Sequence, residues 1–141
     1  MKVFLIVVFQ FILISCNVQK DKKMEEKLLN GRISVNTNAK KIVIFGGSPY
    51  RRHEIVELLS PIANLSIYAT LSEEEGIAKI KELGTVDIVL IGGRYTNGQR
   101  IRIKQFVQEN SPNSSITEPG YSYAYSNTLI FKNIQSLSLK P

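Results

Sequence analysis

Val86-Asp87-Ile88-Val89-Leu90-Ile91-Gly92-Gly93 decides the fold. The run is apolar from Val86 to Ile91 except at Asp87, and a glycine pair stops it. A strand with one solvated face alternates apolar and polar residues. A nearly continuous apolar run is instead the mark of a parallel strand covered on both sides. Immediately downstream, Thr96 with Gln99 forms a capping box that opens a helix through Ile103, Phe106 and Val107 to about Asn110.

Working outward, the same unit recurs. Lys41 to Phe45 reads as a first strand, ended by Gly46-Gly47. Ser48 caps the next helix with Pro49 at its first position, where a missing N–H costs nothing. Ile55, Leu58, Leu59 and Ile62 form its apolar face. Leu65 to Ala69 is the second strand. Ser72 with Glu75 is another capping box, opening a helix that carries Ile77, Ile80 and Leu83 and stops at Gly84. Val86 to Ile91 is then the third strand and Ser114 to Thr117 the fourth. In the tail, Leu129, Ile130, Ile134 and Leu137 fit a helical face, although Thr128 to Phe131 also fits a fifth strand. The helix is the favoured expectation.

Strand–helix alternation with short connections implies right-handed crossovers and a parallel sheet with helices on both faces. The expected fold over residues 40–141 is α/β. It is a small flavodoxin-like three-layer sandwich, with a four-stranded parallel sheet in the order 2-1-3-4. Residues 86–91 also resemble the central strand of bacterial response-regulator receiver domains, and the likeness in pattern covers most of Lys40 to Gly120. The chemistry departs from that family. Gly92 stands where a receiver has its phospho-accepting aspartate, and Gly46-Gly47-Ser48 stands where acidic residues would hold magnesium. Phosphotransfer is therefore not expected.

The start of the chain carries a different message. Lys2 is followed by Val3 to Ile14, apolar apart from Gln10, and then by Ser15-Cys16. This stretch is well short of the ~20 residues a helix needs to cross a bilayer, and it reads as a secretory signal over residues 1–15. Leu13-Ile14-Ser15-Cys16 resembles the lipobox of bacterial lipoproteins. The resemblance implies cleavage before Cys16, a diacylglyceryl group on its thiol and acylation of its amine, palmitate being a typical chain. Two or three acyl chains anchor a protein stably where one does not. Cys16 is the only cysteine, so no thiol is left for a disulfide and the exported domain must rely on its core. Localisation is then the cell envelope, at an outer membrane or at the outer face of the cytoplasmic membrane.

Residues 16–39 are polar and read as the lipidated cysteine plus a tether, with a marginal helix from Asp21 to Leu29 ending at Asn30-Gly31. The full chain of 141 residues, less its leader, leaves about 126, enough for one domain with a sizeable core. Hydrophobic residues make up 43% and charged residues 21%, which is ordinary for a globular protein. The net charge of +6 raises nucleic acid as a partner. Export argues against that, and an anionic ligand or lipid headgroup suits the scattered Lys and Arg better.

In open parallel sheets ligands bind beyond the carboxyl ends of the strands, where strand order reverses. For the expected order that point lies between the first and third strands. Two similar segments meet there: Gly46-Gly47-Ser48-Pro49-Tyr50-Arg51-Arg52 and Gly92-Gly93-Arg94-Tyr95. Glycines let a backbone approach a ligand, helix N-termini offer free N–H groups, and arginines grip anions bidentately. The expected site is thus anionic-ligand binding by Gly46, Gly47, Ser48, Arg51, Arg52, Gly92, Gly93, Arg94 and Tyr95. Arg100 is a further clamp, and the loop from Glu118 to Tyr123 a third contributor. The plainer alternative makes the glycines tight turns and the arginines solvated. A docking surface for an envelope protein on the same rim is also open.

No cofactor fingerprint and no metal-ligand cluster is present in the sequence, and no cofactor is expected. A hydrolase or transferase acting on an anionic or phosphorylated sugar, with Glu118 or His53 as acid/base, is the alternative function.

Overall fold

The computed structural model describes residues 28–141. Its elements alternate as the strong apolar run demands. They are β1 (Gly31–Arg32), β2 (Lys40–Phe45), α1 (Pro49–Leu59), β3 (Leu65–Thr70), α2 (Glu73–Leu83), β4 (Ile88–Ile91), α3 (Asn97–Asn110), β5 (Ser115–Thr117) and α4 (Asn127–Ser138). The tail is helical, with Ser126 as its N-cap.

The sheet has five strands in the order β1-β3-β2-β4-β5. β2, β3, β4 and β5 pair in parallel, while β1 pairs antiparallel with β3, Gly31 opposite Tyr68 and Arg32 opposite Ile67. The expectation of a purely parallel four-stranded sheet is therefore corrected to a mixed sheet of five. The added strand lies within the stretch read as tether. The chain runs down the outer edge of β3, where the Ser34 N–H reaches Ser66 Oγ at 3.0 Å. The Asn36 amide then donates to Asn64 Oδ1 at 3.1 Å, and the chain turns there into β2. Ahead of β1, the Leu29 N–H donates to His53 Nδ1 at 2.9 Å, fastening the incoming chain to α1. Most of the helix expected over residues 21–29 falls outside the described residues, and Leu28 and Leu29 are not helical.

The period-two alternation of a strand divides β2 between two cores. Ile42 and Ile44 face one side, packed with Ile88, Leu90, Ile55, Val56 and Leu59 of α1, and Ile130 and Ile134 of α4. Val43 and Phe45 face the other, packed with Val89, Ile91, Ile80 of α2, and Ile103 and Val107 of α3. Both faces of β2 and β4 are thus dry. Asp87, at the other end of β4, accepts from the Lys41 N–H at 2.8 Å and holds the two central strands in register.

The capping residues act at their expected places. Ser48, Ser72, Thr96 and Ser126 each accept a hydrogen bond from the backbone N–H three residues on. Thr96 and Gln99 make the full reciprocal box. At Ser72 the box is offset, because the Glu75 carboxylate accepts from the Leu71 N–H and not from Ser72. Among the described residues no helix is long and apolar enough to cross a membrane.

Candidate functional site

β2 and β4 lie side by side, and their crossover helices leave on opposite faces of the sheet. Their carboxyl ends therefore open onto a crevice. The β2–α1 loop supplies Gly46, Gly47 and Ser48 to it, and the loop after β4 supplies Gly92, Gly93 and Arg94. Arg51 and Arg52 enter from the first turns of α1. Beneath them, Ile44, Ile55, Leu90 and Ile130 form the floor, and Tyr125 closes the side nearest α4. The cavity has a volume of about 450 Å³.

The two glycines of each pair differ in what they do. A Cβ at Gly92 would stand 2.8 Å from the Phe45 carbonyl oxygen, to which Gly92 itself donates at 2.9 Å. Gly92 is therefore required by the protein's own backbone, which approaches closely at this point. A Cβ at Gly47 would instead meet the Arg94 side chain at 2.7 Å, because the arginine stem lies across that glycine.

The arginines divide more sharply. Arg51 is engaged on every side: Nε donates to Tyr125 Oη at 3.1 Å, Nη1 to Glu54 at 2.9 Å, and Nη2 to Asn127 Oδ1 at 2.8 Å. Its guanidinium carbon also lies 5.3 Å from the Tyr125 ring centre. Arg100, expected as a clamp, is 2% exposed and lies outside the cavity lining. Nε donates to the Tyr95 carbonyl at 3.1 Å, Nη2 to the Gly92 carbonyl at 2.6 Å, and Nη1 to Glu118 at 3.2 Å. Tyr121 lies over it at 3.6 Å. Arg100 ties loops together, with each of its three guanidinium nitrogens engaged inside the protein.

Arg52 and Arg94 are different. Neither guanidinium makes a hydrogen bond or ion pair among the described residues, and Arg52 Nε is buried without a partner. Among the described residues no Asp or Glu lines the cavity. The backbone N–H groups of Gly47, Ser48, Gly93 and Arg94 also find no acceptor among the described residues. The crevice thus collects donors and positive charge and presents no acidic side chain.

Tyr95 and Glu118 are not brought into the lining. Tyr95 is buried, edge-on to Phe45 at 6.1 Å, and its hydroxyl donates to the Gly46 carbonyl at 2.9 Å, bridging the two loops from behind. Burial pushes its phenol up to about 12, with Glu75 and Glu73 adding to the shift. It is a protonated donor at neutral pH. Glu118 accepts from both Arg100 and Lys104 Nζ, the latter at 3.1 Å. His53 uses Nδ1 to accept from Leu29 and places Nε2 3.2 Å from Glu57. Both groups considered for acid–base work are held elsewhere. Tyr123, from the loop expected to add stacking, is turned inward onto Thr117 Oγ1 at 2.7 Å, and burial raises its phenol.

The side chain that sequence reasoning missed is Tyr125. It follows the loop read as a contributor, in the run Tyr121-Ser122-Tyr123-Ala124-Tyr125, and of these three tyrosines only Tyr125 lines the crevice. Cys16 lies outside the described residues. Against known proteins, no family model matches this chain, and neither any curated protein nor any solved structure does.

Proposed function

We propose that this is a lipid-anchored protein of the cell envelope whose α/β domain binds a small anionic ligand between the two glycine loops. The domain is read as flavodoxin-like, extended by one antiparallel edge strand. The observation that carries the binding reading is the Arg52 guanidinium. It lines a cavity in which no described residue is acidic, and its Nε is buried with no partner among the described residues. A buried charged donor left unpaired costs on the order of 1–3 kcal/mol or more, and an anion in the cavity supplies the missing acceptor. Binding is favoured over turnover because Glu118 and His53 are engaged away from the crevice.

Millimolar phosphate or sulfate is expected to raise the melting temperature of the full chain held in zwitterionic nanodiscs. The double variant Arg52→Ala with Arg94→Ala should lose that response while still unfolding cooperatively. A rise that survives the double variant would remove the site.

The anchor rests on Leu13-Ile14-Ser15-Cys16 and on the absence of any other thiol. In cells fed a clickable fatty acid, the wild-type chain should take up label. Cys16→Ser should take up none and should accumulate as uncleaved precursor. Normal processing of that variant would overturn the anchor.

A further inference from the structure

We infer that the ligand is an anion carried on a flat apolar body, of the class of aromatic carboxylates or aryl phosphates, and not a free phosphate or a phosphorylated sugar. This rests on the anion reading above and adds the chemistry of the rest of the molecule. The floor of the crevice is aliphatic: Ile44 and Leu90 from the sheet, Ile55 from α1 and Ile130 from α4. Saccharide hydroxyls buried there would each need a partner, and a site that leaves polar groups unpaired rejects the ligand that brings them. The crevice offers donors, but among the described residues no Asp, Glu, Asn or Gln lines it to accept from saccharide O–H groups. The two lining hydroxyls already use acceptor capacity within the protein, Ser48 Oγ on the Arg51 N–H and Tyr125 Oη on Arg51 Nε, so little side-chain acceptor capacity remains for sugar O–H groups.

Shape agrees with composition. The glycine loops are themselves covered by flat or extended groups, the Arg94 stem over Gly47 and the Tyr125 ring over Gly93. The Tyr125 ring, 3.5 Å from where a Cβ on Gly93 would be, gives the cavity one flat apolar side wall beside its aliphatic floor. Arg51 holds that ring in place from two directions, by its bond to the hydroxyl and by its position near the ring. The volume of about 450 Å³ is roughly three times the ~150 Å³ apolar cavity that holds benzene, which leaves room for a bicyclic body together with its anionic group. The two guanidiniums without an ion pair among the described residues, Arg52 and Arg94, set the charge to be met at one or two negative units.

The test is isothermal titration of the full chain in zwitterionic nanodiscs, with heats from empty discs subtracted. The probes are 2-naphthoate, 2-naphthamide and inorganic phosphate. 2-Naphthoate is expected to bind at least tenfold more tightly than either of the others. Tyr125→Ala should weaken 2-naphthoate about three- to tenfold and leave phosphate unchanged, while Tyr125→Phe, which keeps the ring, should retain 2-naphthoate. Phosphate binding as tightly as 2-naphthoate would overturn the apolar body and leave the anion site standing. 2-Naphthamide equal to 2-naphthoate, or no binding by any probe, would overturn the anion site and this inference with it.

Discussion

Arg100→Ala is expected to lower the unfolding free energy by about 3–5 kcal/mol, a large share of the ~5–15 kcal/mol typical of a single domain. The side chain of Arg100 is 3% exposed and that of Glu118 13%. Removing the guanidinium leaves Glu118 with Lys104 as its remaining ionic partner. It also strips the Gly92 and Tyr95 carbonyls of the donors they now have. Tyr121, stacked over the guanidinium plane, loses its platform. Arg100→Met refills part of the volume but restores no donor, and should recover only a minor fraction. Arg100→Lys keeps the charge, yet a single ammonium cannot reach three acceptors arranged for a planar fork. Urea unfolding followed by circular dichroism reads all three. An Arg100→Ala chain within about 1 kcal/mol of the parent would show the network to be decorative.

That arginine marks the boundary of what the sequence discloses. The alternation of strands and helices was legible because β2 and β4 are dry on both faces, which writes a continuous apolar run into the chain. Caps were legible because they act over three residues. β1 was not, since Gly31 and Arg32 join the sheet through backbone pairing alone and leave no apolar pattern in a polar stretch. The crevice was legible in position because strand order fixes it. Which arginines remain free within it was not. Arg51 finds Asn127, 76 residues away, and Arg100 finds Glu118, 18 residues away. Identical residue types thus divide into braces and free cations through contacts that local sequence does not record.

Gly76→Ala is the second large effect, and intrinsic propensity gives the wrong sign for it. In a helix interior alanine is favoured over glycine by about 1 kcal/mol. Gly76, in the first turns of α2, is nevertheless expected to cost about 1–3 kcal/mol when replaced by alanine, because the space its Cβ needs is taken. That atom would stand 2.1 Å from Phe45 Cε1 and 2.5 Å from two further ring atoms. The ring has little freedom to retreat. Phe45 is fully buried, and Tyr95 meets it edge-on while its own hydroxyl is tied to the Gly46 carbonyl. The Phe45 carbonyl in turn receives the Gly92 N–H, so a displaced Phe45 pulls on both loops of the crevice. Gly76→Ala should therefore blunt the thermal response to phosphate as well as lower stability. Phe45→Leu removes the colliding ring atoms, and in its background the alanine should cost far less. A coupling of at least about 1 kcal/mol in the double-mutant cycle is the expected result. A stabilising Gly76→Ala in the parent chain would mean that helix propensity outweighs the contact, and that the ring yields where its burial says it cannot.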